Sequence, residues 1–413
     1  MKLLFSHPTG NENVRAASTG FLESDLLAEF HTCVAIFPGS LLDNLGNIEI
    51  LSEIRRRKFD IRLKPFTYQW PWKEMLRLTA LKLGSSSLVK HEVGVFSVDA
   101  VYRNLDQRIA TRLKSSRLNE IDGVFGYEDG ILHTFQESDR LGLLKFYDLP
   151  TGHWRAARKL LAVERKRRPD WSSTFTGFAD SPIKLTRKDE EIRLASRIFT
   201  ASKFTASTLL DFPEPLPPIE IIPYGYPPIS KMRKISAYSG KKTLKLLFVG
   251  RLSQQKGLAD LFEAIEGLES AISLTIVGKK PHEFCTALNK SLEKHTWIPS
   301  LSNDQVKELM GQHDILVFPS LFDGFGLVIT EAMSQGTPVI TTERTAGPDL
   351  INHGENGWLF RAGHFLELRA LLEDLLQHPK HIIEVGRAAK ESASLRPWKK
   401  YQEELCEAIL KNY

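Results

Sequence analysis

A glycine-rich turn joins a predicted strand to a predicted helix over residues 318–333, and it carries two acids. Asp323 begins the turn, Gly324, Phe325 and Gly326 follow it, and Glu331 lies within the helix. Glycine lets the backbone approach a ligand closely, and the first amides of a helix have no partners within the helix. Such a turn can hold sugar hydroxyls or phosphate oxygens, with Glu331 spaced to accept hydrogen bonds from a ribose. The coincidence of glycines and acids at one junction favours a ligand site over a surface helix with two unrelated acids.

A second segment, residues 246–257, places two cations just after a predicted buried strand. The strand ends at Gly250, Arg251 follows at once, and Lys256 comes five residues later. Two cations at the end of a strand can bracket a diphosphate and stabilise the charge that develops on such a leaving group. Two solvated loop cations are the alternative for this segment taken alone.

The two segments together resemble the donor-binding domain of the retaining glycosyltransferases of family 4, which have the GT-B fold. The motifs are strand-Gly-Arg-Leu-x-x-x-Lys-Gly and a pair of acids eight positions apart around Gly-Phe-Gly. The resemblance covers roughly residues 190–400 and is weak before that. The residues that match are Gly250, Arg251, Leu252, Lys256, Gly257, Gly324, Phe325, Gly326, Glu331, Ala332, Met333, Gly336, Pro338, Val339, Gly357 and Phe360.

The resemblance implies a role for each matched position. Arg251 and Lys256 would hold the donor diphosphate in place of a divalent metal, so no metal and no cofactor are expected. Glu331 would bind the ribose, and Asp323 would reach the transferred sugar although the family commonly has glutamate there. The donor-binding set is completed by Gly250, Gly324, Phe325, Gly326 and Leu327, with Trp297 and Ile298 as candidates for the nucleobase.

Candidate residues in the first half of the chain are fewer. Asp148 and His153 lie where a predicted strand gives way to a helix, so either could contact the transferred sugar or the acceptor hydroxyl. His153 could equally be a solvated residue at a helix start. The family's glycine-rich loop after the first strand is altered here, and Gly10 and Asn11 are its candidates for acceptor or phosphate contact, with a plain capped helix start as the alternative.

These residues need elements that bring them together, and short apolar runs alternate with amphipathic stretches along the whole chain. That alternation predicts an α/β protein with parallel sheets, here two doubly wound Rossmann-like domains facing a central cleft in the GT-B manner. The predicted domains are 1–225 for the acceptor and 226–396 for the donor, with a helix over 397–413 crossing back to the first. Seven prolines within 213–228 predict a stiff connection between the domains. Predicted strands of the first half lie at 2–6, 33–37, 123–126, 145–147, 198–200 and 219–222, and predicted helices at 98–114, 130–144 and 189–195.

Composition excludes several other classes. The 413 residues are 42% apolar and 25% charged, which is ordinary for a globular protein, and no apolar run is long enough to cross a membrane. Three distant cysteines suit a reducing compartment, so a cytoplasmic protein is expected. The net charge of +5 is concentrated in basic clusters at 55–64 and 155–168. No nucleic-acid module is recognisable, and the basic, aromatic residues 55–76 suggest peripheral contact with the inner face of a membrane, or else a packed loop.

The sequence therefore predicts a metal-independent, retaining hexosyltransferase-type enzyme that moves a sugar from a nucleotide diphosphate to a hydroxyl of a sugar, lipid-linked or other acceptor. Polysaccharide or glycolipid assembly is the expected setting. Two alternatives stay open: a GT-B nucleotide-sugar epimerase, and an inactive GT-B accessory protein that only binds. A dinucleotide oxidoreductase is disfavoured, because no Gly-x-Gly-x-x-Gly follows a strand.

Overall fold

The computed structural model describes residues 1–40, 57–115, 121–175, 177–230, 243–281 and 284–411. They form two parallel sheets with helices on both faces. The strands of the first sheet are β1 (Leu3–Ser6), β2 (Leu27–Thr32), β3 (Thr67–Gln69), β4 (Gly123–Tyr127), β5 (Leu144–Leu149), β6 (Arg197–Thr200) and β7 (Ile219–Ile221). Those of the second are β8 (Leu244–Val249), β9 (Ile272–Val277), β10 (Thr296–Ile298), β11 (Ile315–Phe318), β12 (Val339–Thr342) and β13 (Trp358–Phe360).

The strand orders are β3-β2-β1-β4-β5-β6-β7 and β10-β9-β8-β11-β12-β13. In both sheets the chain starts in the middle, winds to one edge and then returns to fill the other side. This doubly wound order leaves a crevice at the carboxyl ends of the central strands, which is where such sheets bind ligands. Two doubly wound parallel sheets were predicted from the sequence, and this topology confirms them.

The helices carry the connections between strands. They are α1 (Glu12–Glu23), α2 (Trp72–Lys82), α3 (Val98–Leu113), α4 (Leu132–Arg140), α5 (Trp154–Arg167), α6 (Pro182–Leu194), α7 (Lys203–Thr208), α8 (Leu258–Ile265), α9 (Thr286–Leu292), α10 (Asn303–Gln312), α11 (Leu327–Ser334), α12 (Gly347–Leu350), α13 (Phe365–Gln377), α14 (Pro379–Leu395) and α15 (Trp398–Leu410). Short 3-10 turns occur at Ile61–Phe66, Pro169–Thr174, Leu209–Asp211 and Gln254–Lys256. No helix of the described chain is both long and apolar enough to cross a bilayer.

The prediction of a strand at 33–37 is wrong. These residues are buried, but they form an irregular segment in which Ile36 makes one isolated bridge to Lys58. The strand lies earlier in the chain, at β2, where two polar residues interrupt the apolar pattern. Glu29 and His31 bond to each other inside the protein, with 2.8 Å between Oε2 and Nε2. The helix predicted over 130–144 is also too long, because Gly142, at φ +70°, follows α4 and leads into β5.

Two crossings tie the sheets together. Helix α15 follows the second sheet but packs on α1, where Tyr401, Leu405 and Ile409 enter the core of the first domain. The second crossing is the 3-10 turn Pro169–Thr174 after α5. Its Trp171 is buried in the core of the second domain, with its ring centroid 6.0 Å from that of Phe262.

Ion pairs reinforce this second crossing. Asp260 of α8 is 1% exposed and accepts hydrogen bonds from Arg167 at 2.6 Å and from Arg168 at 3.3 Å. At the other end of α5, Arg155 pairs with Asp189 at 2.7 Å. Most of the basic cluster at 155–168 is therefore engaged within the protein, so it is not a free surface for an anionic partner. Of the other cluster, Arg55 and Arg56 lie outside the described residues.

Candidate functional site

A cavity of about 280 Å³ opens where the carboxyl ends of the two sheets face each other. Parallel strands deliver their following residues to one edge, so distant segments converge here. The first domain contributes His7, Asn11, Asn13, Tyr127, Pro150 and Tyr224 to its wall. The second contributes Val249, Gly250, Lys256, Phe318, Asp323, Phe325, Gly326, Leu327 and Val328.

The amino end of α11 points into this cavity. Gly326 precedes the helix in the left-handed conformation, at φ +81°, which favours glycine. Leu327 and Val328, the first two residues of the helix, line the cavity. Their amides lie in the first turn, where a helix supplies no partner and its dipole is positive. The helix start is therefore suited to an anionic group such as a phosphate.

Phe325 fixes the position of this turn between the domains. Its side chain is 2% exposed and packs into the core of the first domain, with its ring centroid 4.8 Å from that of Tyr224. Its amide donates to Asp323 Oδ1 at 3.2 Å, and its carbonyl accepts from the amide of Ala346 at 3.0 Å. In this arrangement the amide of Phe325 is occupied by Asp323, so only rearrangement of that carboxylate would release it to a sugar hydroxyl.

Lys256 and Asp323 form a salt bridge in the wall of the cavity. Both side chains are about one-fifth exposed, and Lys256 Nζ lies 5.6 Å from the centroid of the Phe318 ring. Lys256 ends a 3-10 turn, and the next residue, Gly257, has φ +72°. A Cβ on Gly257 would lie 1.9 Å from the Pro319 carbonyl oxygen, so glycine is required for this turn to approach β11. Arg251 is an exposed residue two positions after the end of β8 at Val249, and it is not part of this cavity wall.

Glu331 lies one turn into α11 and is 8% exposed. Its Oε1 accepts a hydrogen bond from Asn303 Nδ2 at 2.7 Å. Burial, with a smaller contribution from the charge of Glu12, raises the pKa of Glu331 from 4.5 to about 7. The carboxyl is therefore held ready to titrate near neutral pH, and Asn303 is a neighbour that sequence reasoning missed.

A second cavity, of about 260 Å³, lies on the other side of the Lys256–Asp323 pair and shares both residues as wall. From the first domain it is lined by Glu128, Thr151, Gly152, Trp154, Ala157, Leu161, Gly177, Asp180 and Lys188. From the second domain Gln255, Phe322 and Gly324 complete it. Burial raises the pKa of Glu128, whose Oε1 lies 3.6 Å from Lys188 Nζ.

Gly324 is the point of closest approach between the domains beside these cavities. A Cβ there would lie 2.1 Å from the Pro150 carbonyl oxygen. The carbonyl of Gly324 accepts hydrogen bonds from the hydroxyls of Ser202, at 2.5 Å, and Thr205, at 2.8 Å. This glycine therefore matters for domain contact as well as for ligand approach.

The loop after β1 is organised by His7. Its Nδ1 accepts hydrogen bonds from the amides of Thr9 at 3.1 Å and Gly10 at 2.9 Å. Burial, reinforced by the charge of Arg57, lowers the pKa of His7 to about 3, so the ring is neutral and can accept. The sequence analysis gave Gly10 and Asn11 as candidates for acceptor or phosphate contact. Asn11 lines the cavity, but Gly10 does not, because its amide is used by His7.

Asp148 and His153 do not line either cavity. Asp148 is 4% exposed on β5 beneath Tyr127 and Tyr224, and burial raises its pKa well above the usual carboxyl range. The His153 ring is fully buried, 3.3 Å from Asp189 Oδ1, and burial lowers its pKa to about 4. The prediction that these two side chains contact substrate is inconsistent with this arrangement, because both turn into the first domain.

Trp297 and Ile298 lie on the edge strand β10, which the sequence analysis did not recognise as a strand. The Trp297 indole donates to the Gly278 carbonyl at 2.9 Å, and its ring packs against the second-domain core under Lys280. Ile298 packs on the opposite side, among residues that include Val306. Strand alternation sends the two side chains to opposite faces, so both cannot hold one nucleobase.

His91, Glu92 and Asp180 offer possible metal-ligating atoms within 4.8 Å of one another. Two lysines already face this group, with Lys184 Nζ and Lys188 Nζ each 3.3 Å from an oxygen of Asp180. These ammonium groups neutralise the carboxylate at the place a cation would take. The cluster therefore reads as an ion-pair network.

Several cavity residues were missed by sequence reasoning, namely His7, Asn13, Tyr127 and Tyr224. Asn13 donates to the Tyr224 hydroxyl at 3.2 Å across 211 positions of sequence. Position at the end of a predicted parallel strand was a usable signal for His7 and Tyr127. No local pattern marks Asn13.

Comparison with known proteins finds relatives for the second half of the chain. Residues 228–392 match the family described as glycosyl transferases group 1. The GDP-mannose-dependent alpha-mannosyltransferase of Corynebacterium glutamicum is 34% identical over 186 residues, which are 44% of this chain and 42% of the relative. The amylovoran biosynthesis glycosyltransferase AmsK of Erwinia amylovora is 31% identical over 160 residues, 36% and 39% of the two chains. The chain thus spans less than half the length of these relatives.

Solved structures match over the full length. Sucrose-phosphate synthase from Thermosynechococcus elongatus has a TM-score of 0.63 at 14% identity, covering 100% of this chain and 99% of that one. HepE from Anabaena, solved in complex with UDP-glucose, has a TM-score of 0.60 at 15% identity and covers 100% of both chains. At such identities the likeness establishes the fold alone. Residues 228–392 are therefore similar to the glycosyl transferases group 1 family, within a chain that has the GT-B fold.

Proposed function

We propose that the protein is a glycosyltransferase that moves a sugar from a nucleotide diphosphate to an acceptor hydroxyl. The observation that carries this proposal is the convergence, at one interdomain cavity, of the α11 helix start, Gly250 and Lys256. A helix start and a cation aimed at the same space suit a diphosphate. A relative of this chain is named for its use of GDP-mannose, and HepE was solved with UDP-glucose.

In this proposal the donor lies along the second domain. The diphosphate meets the amides of Leu327 and Val328, and the ribose hydroxyls donate to the ionised carboxylate of Glu331. The salt bridge between Lys256 and Asp323 opens when donor binds. Lys256 then turns to the diphosphate, and Asp323 accepts from hydroxyls of the transferred sugar.

Charge stabilisation of the leaving group follows from the same residues. As the bond between the anomeric carbon and the diphosphate oxygen breaks, negative charge grows on that oxygen. Lys256 and Arg251 stabilise the charge where it develops, which lowers the barrier. We propose that these cations suffice without a divalent metal, and that the sugar keeps its anomeric configuration. Activity in EDTA and the configuration of the product test those two points.

The second cavity is the proposed approach for the acceptor. It borders the transferred sugar through Asp323, and its first-domain wall carries Glu128, Thr151 and Trp154. Carboxylate, hydroxyl and aromatic surface together suit a sugar acceptor, whose hydroxyls need partners and whose apolar face can pack on an indole. The acceptor oxygen forms the new bond to the anomeric carbon as the bond to the diphosphate breaks, and the acceptor's hydroxyl proton passes to the departing diphosphate oxygen.

The first experiment is a thermal-shift panel of UDP, GDP, ADP and CMP, with magnesium or with EDTA. A ligand at 100 times its dissociation constant stabilises the fold by about 2.7 kcal/mol. We expect one diphosphate to stabilise the wild type in EDTA and Arg251→Ala to lose most of that response. Arg140→Ala is the control, because Arg140 is an exposed residue of α4 with only Glu137 as its ion-pair partner among the described residues. No response from any nucleotide would refute the proposal.

Turnover assays separate the two alternative functions. An epimerase would convert the donor with no acceptor present, whereas a transferase needs an acceptor. If the protein only binds nucleotide sugars, Asp323→Ala would lower its affinity for them, and there would be no turnover to lose. Sugar release or transfer that falls with Asp323→Ala, while nucleotide affinity is kept, supports the enzyme.

A further inference from the structure

The surface formed by residues 61–98 is unusually apolar. Of the nineteen large apolar side chains that are exposed among the described residues, ten lie in this stretch of 38 residues. They are Ile61, Tyr68, Trp72, Leu76, Leu81, Leu83, Leu88, Val93, Val95 and Val98. Single exposed apolar residues are normal, but a contiguous group marks an interaction surface. We call it the 61–98 surface.

Helix α2 and the residue after it arrange part of this surface as a stripe. Trp72, Leu76 and Leu83 recur at intervals of four and seven, which puts them on one side of a helix. Trp72 is 80% exposed and Leu83 is 75% exposed. Meanwhile Met75 and Leu78 pack on the first-domain core. The helix therefore has one apolar side that the fold uses and another that it leaves to solvent.

Charge on the 61–98 surface has one dominant sign. The stretch holds six basic residues, Arg62, Lys64, Lys73, Arg77, Lys82 and Lys90, and two acids, Glu74 and Glu92. Glu74 is 1% exposed and bonds to Arg57 and Arg77. Glu92 accepts hydrogen bonds from Ser181. Both acids thus have partners within the protein, while Lys64, Lys82 and Lys90 are exposed among the apolar side chains.

We propose that the 61–98 surface docks on an anionic lipid bilayer, with Trp72 and Leu83 entering the interface. Exposed apolar side chains with an indole, surrounded by lysines, are the combination that binds at the headgroup boundary. The exposed lysines complement anionic headgroups. Lysine is depleted at protein–protein interfaces, so exposed lysines among the apolar side chains favour lipid headgroups over a protein partner. The inference does not rest on the proposed function, since lipid binding needs no donor or acceptor.

In this arrangement the first domain is the part of the protein that contacts the bilayer. The 61–98 surface includes both the edge strand β3 and α2, so docking would hold the first sheet by its edge. His91 Nε2 of this surface lies 3.0 Å from Oδ1 of Asp180, which lines the second cavity. An acceptor embedded in lipid could then reach the second cavity.

The test is vesicle flotation of the full chain with phosphatidylcholine vesicles and with vesicles containing roughly one-third phosphatidylglycerol. We expect binding to the anionic vesicles that weakens with salt. The variant Trp72→Ser/Leu76→Ser/Leu83→Ser should lose at least about tenfold in vesicle affinity because the apolar contribution is removed. Its matched control is Ile183→Ser/Leu210→Ser/Leu395→Ser, three side chains that are 81–84% exposed elsewhere. The control should bind as the wild type does.

A charge variant keeps the proposal testable if the triple serine variant misfolds. Lys82→Glu/Lys90→Glu leaves every apolar side chain in place and should also lose binding to anionic vesicles. Equal binding by the wild type and both surface variants would overturn the proposal, as would no binding by the wild type. A wild type that is dimeric in light scattering, with a monomeric triple variant and no lipid binding, would assign the surface to a second copy of the chain and overturn it too.

Discussion

Glu331→Gln should make the protein more stable and bind nucleotide less well. Glutamine keeps the acceptor oxygen that bonds to Asn303, and it cannot ionise. The buried carboxyl of the free protein has its pKa raised from 4.5 to about 7. The folded state therefore holds the proton more firmly than the unfolded state does. The stabilisation that this bound proton provides is complete below about pH 4.5 and is lost as the pH rises through 7.

The size of the effect follows from this pKa difference. One pH unit corresponds to 1.36 kcal/mol, so keeping the ionised form buried costs about 3 kcal/mol at pH 8. The glutamine variant avoids that cost. We expect its free energy of unfolding at pH 8 to exceed that of the wild type by up to about 3 kcal/mol, with the two values meeting near pH 4.5.

Folding favours the protonated carboxyl of Glu331, whereas nucleotide binding should favour the ionised carboxylate. Ribose hydroxyls donate to an ionised carboxylate, so the wild type must give up its proton to bind. Between pH 5 and 7 the affinity attributable to Glu331 should rise by as much as about tenfold per pH unit and then level off. Titration of the diphosphate itself is common to both proteins, so the ratio of wild-type to variant affinity isolates Glu331.

The assays are urea unfolding and calorimetric titration of the best nucleotide of the thermal-shift panel, each at several pH values from 5 to 8. A ratio of affinities that does not change with pH would refute the role of Glu331 at the ribose. A glutamine variant less stable than the wild type at pH 8 would refute the burial argument instead.

Three further predictions concern other parts of the chain. Asp323→Ala should lower kcat/KM by roughly 100-fold or more, whereas Asp323→Glu should retain most activity; equal turnover of wild type and alanine variant would contradict the assignment. Asp148→Asn should raise the free energy of unfolding, increasingly so as the pH rises above 4, because burial raises the pKa of this carboxyl; urea unfolding at pH 4 and 8 checks this, and a loss at pH 8 would contradict it. Trp171→Ala should destabilise the second domain by about 3–5 kcal/mol in urea unfolding, while Trp72→Ala, at an 80% exposed position, should cost less than about 1 kcal/mol.

Continuous apolar runs made the second sheet predictable except for its edge strand β10. The sequence predicts strands at 244–249, 315–318 and 358–360, and β8, β11 and β13 begin and end at these residues. Strands buried on both faces show continuous apolar runs without alternation, which makes them visible in the sequence. β2 was not predicted, because polar residues interrupt its apolar pattern. Its Glu29 and His31 satisfy each other inside the protein, and a pattern of residue types cannot show such pairing. The apolar run at 33–37 was then mistaken for the strand.

The candidate site also contains some residues that the sequence could predict and others that it could not. The turn around Gly324 could be predicted because its residues are neighbours in sequence. The pairing of Asn13 with Tyr224 joins residues 211 positions apart, so only the topology brings it about. Asp148 and His153 were predicted from their position after a strand, but that position alone does not fix the direction of a side chain.

The anchoring of Trp171 in the second domain limits how the two halves can move. A rigid body attached to another at one flexible point can rotate in any direction, but two attachments leave only a single axis. One attachment is the Trp171 turn, and the other is the crossing where the Tyr226 amide bonds to the Arg396 carbonyl at 2.8 Å. Opening of the cleft is then a jaw-like rotation about the line through these two points, and it must also separate Phe325 from Tyr224 and Gly324 from Ser202. Sliding or twisting of one sheet over the other would first have to pull an indole out of the core.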